Sequence, residues 1–128
     1  MPESARLRKH PQERFDAPAH HFDLEGIAQS LRREAHPAVS GHRQIAIYKH
    51  AQATLVMYAF DQDGEMPEHD AEGVVTIHVL NGRLVVHVEG EAHPVARNQM
   101  LTLAPGVVHS VRAAEPSEML LTVHFVGA

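Results

Sequence analysis

The chain has 128 residues, 44% hydrophobic and 21% charged, a composition of one globular domain rather than of a disordered segment. It has no cysteine, which excludes disulfides, thiolate metal sites, a cysteine nucleophile and an iron–sulfur cluster, so any metal must sit on His, Asp or Glu. Sixteen acidic against eleven basic residues give a formal charge of −5, against the clustered positive charge on which nucleic-acid affinity rests.

Residues 1 to 22 hold Pro2, Pro11 and Pro18 among charged residues and read as a mobile lead-in with no apolar leader core. No run approaches the ~18 apolar residues of a membrane span, so neither a membrane nor a nucleic acid is expected as partner and the cytoplasm is the expected location. Residues 23 to 41 form a helix and linker: Asp23 caps an amphipathic helix over about 24 to 35, with Leu24, Ile27, Ala28 and Leu31 at helical spacing and Pro37 barring its continuation. Residues 42 to 128 read as strand and turn. The runs Ile45 to Tyr48, Thr54 to Phe60, Val74 to Leu80, Leu84 to Val88, Met100 to Leu103, His109 to Ala113 and Met119 to Val126 are rich in β-formers. Turn chemistry lies between them at Asp61 to Gly64, Asn81-Gly82, Glu89-Gly90, Pro105-Gly106 and Glu115-Pro116. Asn81-Gly82 is read as a two-residue type I′ hairpin turn, and the whole as an all-β antiparallel sandwich or barrel.

Two segments resemble a known family. Asp63-Gly64-Glu65-Met66-Pro67-Glu68-His69-Asp70-Ala71-Glu72-Gly73-Val74-Val75, continuing to Gly82, is similar to the first motif of the cupin superfamily, G(X)5HXH(X)3,4E(X)6G. Asn98 to His109 is similar to the second, G(X)5PXG(X)2H(X)3N. The resemblance implies a cupin-type jelly-roll β-barrel with a short N-terminal helix, whose interior commonly holds a divalent metal on two His and a Glu from the first motif and one His from the second. Carried over residue by residue, His69, Gly82, Gly106 and His109 match. Ala71 falls on the second His and Val75 on the Glu, while Asn98, Ala104 and Ala113 stand where Gly, Pro and Asn are usual, and Gly64 lies one place late for the opening Gly.

His69 and His109 are therefore the candidate metal ligands, for Fe, Mn, Ni or Zn, and need a third donor. Glu72 or Asp70 could supply it, or His78, although strand alternation sets His78 on the face opposite Val75 and Ile77. Without a metal, the pair reads as the polar anchors of a largely apolar pocket for a small organic ligand, lined by His69, Ala71, Val75, Ile77, His109 and Ala113. The other histidines read as surface residues: His87 faces away from the pocket, and His10, His20 and His21 lie in the lead-in. The acidic stretch Asp61, Asp63, Glu65, Glu68, Asp70 and Glu72 reads as a solvated loop. Three functions follow in order: a stand-alone cupin binding a small organic ligand, a metal-dependent enzyme of the dioxygenase or isomerase kind, and a regulatory dimer module. A homodimer is expected, formed through outward apolar residues such as Leu80 and Val85.

Overall fold

Residues 17–34 and 38–125 are described by the computed structural model; residues 1–16, with His10, lie outside them. Helix α1 spans Leu24–Arg32, and the Asp23 carboxylate caps it by accepting from the Gly26 N–H at 3.1 Å. It stops short of the predicted residue 35 because its last turn tightens: the Arg33 N–H donates to both Gln29 O and Ser30 O, and the Glu34 N–H to Leu31 O.

Nine strands follow: β1 His42–Lys49, β2 Ala53–Phe60, β3 Glu65–His69, β4 Gly73–Asn81, β5 Arg83–Val88, β6 Glu91–Ala96, β7 Met100–Leu103, β8 His109–Ala113 and β9 Ser117–Phe125. They form a five-stranded sheet in the order β1-β2-β9-β4-β7 and a four-stranded sheet in the order β3-β8-β5-β6, every pair antiparallel. No helix among the described residues is long and apolar enough to cross a membrane.

Alternation divides the apolar residues between two clusters. Val75, Ile77, Val79, Leu84, Val86, Val111, Met119 and Leu121 fill the space between the sheets. Met57, Ala59 and Ile47 face outward and are covered by Ala28 and Leu31 of α1, burial on the order of 2 kcal/mol per large side chain. The helix therefore meets its apolar need on its own barrel. Leu80, expected to face a second subunit, packs in this cluster under α1, because it alternates with Val79 on β4. Phe22 packs there too, and His20 meets Tyr48 edge-on at 5.2 Å.

Two strands were not legible as strands. The stretch read as a solvated acidic loop contains β3, whose Met66 is buried while Glu65 and Glu68 are exposed. β6 carries exposed Pro94. Both are edge strands of the four-stranded sheet, where Pro67 and Pro94 sit without costing a ladder hydrogen bond. The hairpin expectation at Asn81-Gly82 is also corrected. β4 and β5 belong to different sheets, and only Gly82 has positive φ, at 88°, so this is a corner between sheets. Ser117 Oγ fixes that corner, accepting from the Arg83 N–H at 2.9 Å and donating to Glu115 O at 2.7 Å. The two-residue type I′ turn is Glu89-Gly90, with φ of 50° and 84° between the paired residues Val88 and Glu91.

Candidate functional site

The ends of β3 and β8 pair so that His69 lies directly opposite His109. Cross-strand partners share a face, and His109 also pairs with Val88, which packs on the interior cluster, so both imidazoles project into the space between the sheets. Their ring centroids are 4.3 Å apart and the planes tilt by 55°. Each ring is held by its own backbone. His69 Nδ1–H donates to Pro67 O at 2.8 Å and His109 Nδ1–H to Val107 O at 3.1 Å. A carbonyl only accepts, so in its neutral form each ring carries the proton on Nδ1 and presents the Nε2 lone pair.

The two environments differ. His69 is half-buried at the rim, whereas His109 is 1% exposed and its Nε2 has no hydrogen-bond partner. Burial lowers the His109 pKa below the usual imidazole range, opposed by the Val107 hydrogen bond; nearby His69 adds to the lowering, and the Asp70 carboxylate acts against it. The ring is thereby kept neutral, as an acceptor.

Of the other predicted pocket residues, Val75 and Ile77 are buried in the interior cluster and Ala71 packs against it. The Ala71 carbonyl accepts from the Gly106 N–H at 2.8 Å, seating the β3–β4 loop against the loop that leads into His109. Ala113 is buried too, but it lies four residues along β8 from His109 and pairs with Leu84. That is about 13 Å away at strand rise, at the opposite end of the barrel. His78 faces the outer side, opposite Leu120 and Met100, as alternation predicts. Glu72 and Asp70 are exposed. His124 turns outward, because its neighbour Val123 packs on the interior cluster.

A resident divalent metal fits this site only in part. The Nδ1–H to carbonyl bonds orient both rings as metal-bound histidines commonly are, and one Nε2 is buried and unpartnered. The donor set stops there. Ala71 and Val75 offer nothing to bind an ion, and among the described residues no three His, Asp or Glu side chains converge on one point. Two neutral nitrogens do not make a three- or four-ligand centre.

Two residues that the sequence reading passed over share this concave face. Glu91 pairs with Val88, and His93 pairs with Val86, a core residue. Their side chains meet at 3.5 Å between His93 Nε2 and a Glu91 carboxylate oxygen. The signal available was the period-2 pattern Glu91, His93, Val95, interrupted by Pro94. Cavities lie elsewhere. One of about 500 Å³ opens along one flank of α1, between Arg32, Leu80, Arg97 and Glu118. One of about 290 Å³ lies on the outer face of the smaller sheet by His87 and Ser110.

Two antiparallel sheets closed face to face, with a pair of histidines at one end of the enclosed space, define a small jelly-roll barrel. A family model described as the cupin domain matches residues 55–125, more than half of the chain, and the protein belongs to that family. No curated protein matches it in sequence. Solved structures share the fold. The conserved SPY1581 protein of unknown function from Streptococcus pyogenes is 21% identical, with a TM-score of 0.70 over 88% of this chain and 92% of that one. An RmlC-like cupin from Shewanella frigidimarina is 17% identical, with a TM-score of 0.68 over 84% and 93%. Salicylate 1,2-dioxygenase from Pseudoaminobacter salicylatoxidans, in adducts with gentisate, is 16% identical, with a TM-score of 0.64 over 79% of this chain and 30% of the enzyme.

Proposed function

We propose that this cupin binds a small organic molecule at the His69–His109 end of its barrel, with the two Nε2 lone pairs accepting hydrogen bonds from the ligand. The observation that carries the reading is the buried His109 Nε2 without a partner. An unsatisfied buried acceptor costs about 1–3 kcal/mol, and a ligand donor would recover that. Half-buried Ala71, Val88, Val107 and Val123, packed against the interior cluster, supply an apolar seat. The test is a titration with benzyl alcohol, followed through the imidazole Cε1–H signals by NMR. Saturable shifts at His69 and His109, weakened at least about tenfold by His69→Ala (about 1.4 kcal/mol), are expected. Shifts confined to other histidines would refute the reading.

A second reading, a metal-dependent enzyme of the dioxygenase or isomerase kind, is favoured by the ring orientation, since both Nε2 atoms are free and both Nδ1 atoms are held. It requires a third donor from a rearranged β3–β4 loop, with Glu72 or Asp70 turned inward. Stoichiometric Fe, Mn, Ni or Zn, retained by untagged protein after chelator treatment and lost in His109→Gln, would establish the metal site this reading needs.

A further inference from the structure

The charge around the barrel mouth is one-sided. The loops that open at the His69–His109 end, residues 50–52, 70–72, 89–90 and 104–108, carry Asp70, Glu72 and Glu89 and no lysine or arginine. Glu91 at the start of β6 adds a fourth carboxylate. Among the described residues, the one basic residue at a strand end on this side is exposed Lys49, closing edge strand β1. Arg43, Arg83, Arg97 and Arg112 all lie toward the opposite end. A carboxylate rim around a low-dielectric, apolar seat concentrates cations and repels anions.

The register places one of these carboxylates, 81% exposed, at the solvent edge of the face that carries the histidines. His69, His109, Val88 and Glu91 form one row across β3, β8, β5 and β6. At a strand spacing of about 4.8 Å, Glu91 stands about 10 Å from His109 across the apolar Val88. His93, 3.5 Å from the Glu91 carboxylate, braces it. Within the row the histidines offer lone pairs and Glu91 offers carboxylate oxygens. Each available group is an acceptor, and the innermost, His109 Nε2, is buried and unpartnered.

From this juxtaposition, which rests on the ligand-binding reading above, we infer that the barrel selects small organic amines, bound as ammonium ions on an apolar or aromatic body. An ammonium supplies three N–H donors and a positive charge, and so meets both the acceptor row and the field of the rim. A carboxylate or phosphate supplies neither.

The test holds the body constant and changes the head: benzylamine, benzyl alcohol and benzoate, each titrated into the full chain near neutral pH and followed at His69 and His109 by NMR. Benzylamine is expected to bind at least about fivefold more tightly than benzyl alcohol, and benzoate more weakly than either. The advantage of the amine should shrink as salt rises, because the rim charges are exposed. Glu91→Gln combined with Asp70→Asn, both at exposed positions, should reduce that advantage at least about threefold. Equal binding of benzylamine and benzyl alcohol, or preference for benzoate, would overturn the amine assignment and leave the ligand-binding reading standing. No histidine response to any of the three would overturn both. An amine advantage unaffected by the double variant would also overturn the inference, by placing the selectivity outside the rim.

Discussion

Rebuilding the two missing metal positions tests whether the interior face is assigned correctly. In Ala71→His with Val75→Glu, the new groups are placed to join His69 and His109, since Val75 faces the interior at 3% exposure and Ala71 packs beside it. Without metal the change is costly. Replacing a buried valine forfeits about 2 kcal/mol of apolar burial, and a buried carboxyl adds about 1–2 kcal/mol more after taking up a proton. A loss of about 3–4 kcal/mol corresponds to about 12–16 °C in Tm at about 4 °C per kcal/mol for a domain of this size. Metal at a hundred times its Kd returns about 2.7 kcal/mol, or roughly 11 °C. Thermal unfolding of the variant with and without Ni²⁺ should therefore show recovery of most of the loss. The parent and the variant additionally carrying His69→Ala should shift by no more than about 2 °C. Adventitious binding by His20 and His21 is common to all three proteins and cancels. If the rebuilt protein is destabilised and gains no more from Ni²⁺ than the His69→Ala control, then Ala71 and Val75 do not point at the histidine pair and the interior assignment fails. Strong stabilisation of the parent by Ni²⁺, abolished by His69→Ala, would instead show that a third native ligand exists.

Acidification should destabilise the protein through His109. Its folded pKa lies below the unfolded value, so its contribution is complete above pH ~6.5 and is lost as pH falls through the lowered folded value, at up to about 1.4 kcal/mol per pH unit; chemical denaturation from about pH 7.5 to about pH 5.5 should show a shallower decline for His109→Gln than for the parent. Ser117→Ala strips the Arg83 N–H of its acceptor at the corner between the sheets and should cost about 2 kcal/mol by urea unfolding; a cost below about 0.5 kcal/mol would mean the corner is held by other contacts. Asn98, at φ 66°, tolerates left-handed backbone better than alanine, so Asn98→Ala should cost about 1 kcal/mol and Asn98→Gly no more than a few tenths; equal effects would refute a backbone role. The open edges β1 and β7 of the larger sheet leave a route to a homodimer, and a light-scattering mass equal to the 14.1 kDa of one chain at micromolar concentration would exclude it.

What could be read from the sequence divides along a physical line. Strands that bury one face, such as Val74 to Leu80 and Leu84 to Val88, announce themselves by alternation, and the helix by its Asp23 cap and apolar spacing. Edge strands β3 and β6 do not, because one open side relaxes their composition and admits Pro67 and Pro94. The site divides in the same way. Each of the four positions where the two family motifs call for glycine has left-handed backbone here: φ is 65° at Asp63, 88° at Gly82, 66° at Asn98 and 81° at Gly106. Asp and Asn are the residues that replace glycine there at least cost, so the backbone requirement of the motifs is kept even where the letters differ. The ligand requirement is not kept, since Ala71 and Val75 have no donor atoms. Turn conformation and metal ligation are thus separable demands on the same short segments. A chain can satisfy the first, and so hold the barrel and its histidine pair in place, while leaving that pair open to a different kind of ligand. The acidic positions Asp70, Glu72, Glu89 and Glu91 are scattered in sequence, and only the strand order places their loops at the same end of the barrel as the histidine pair.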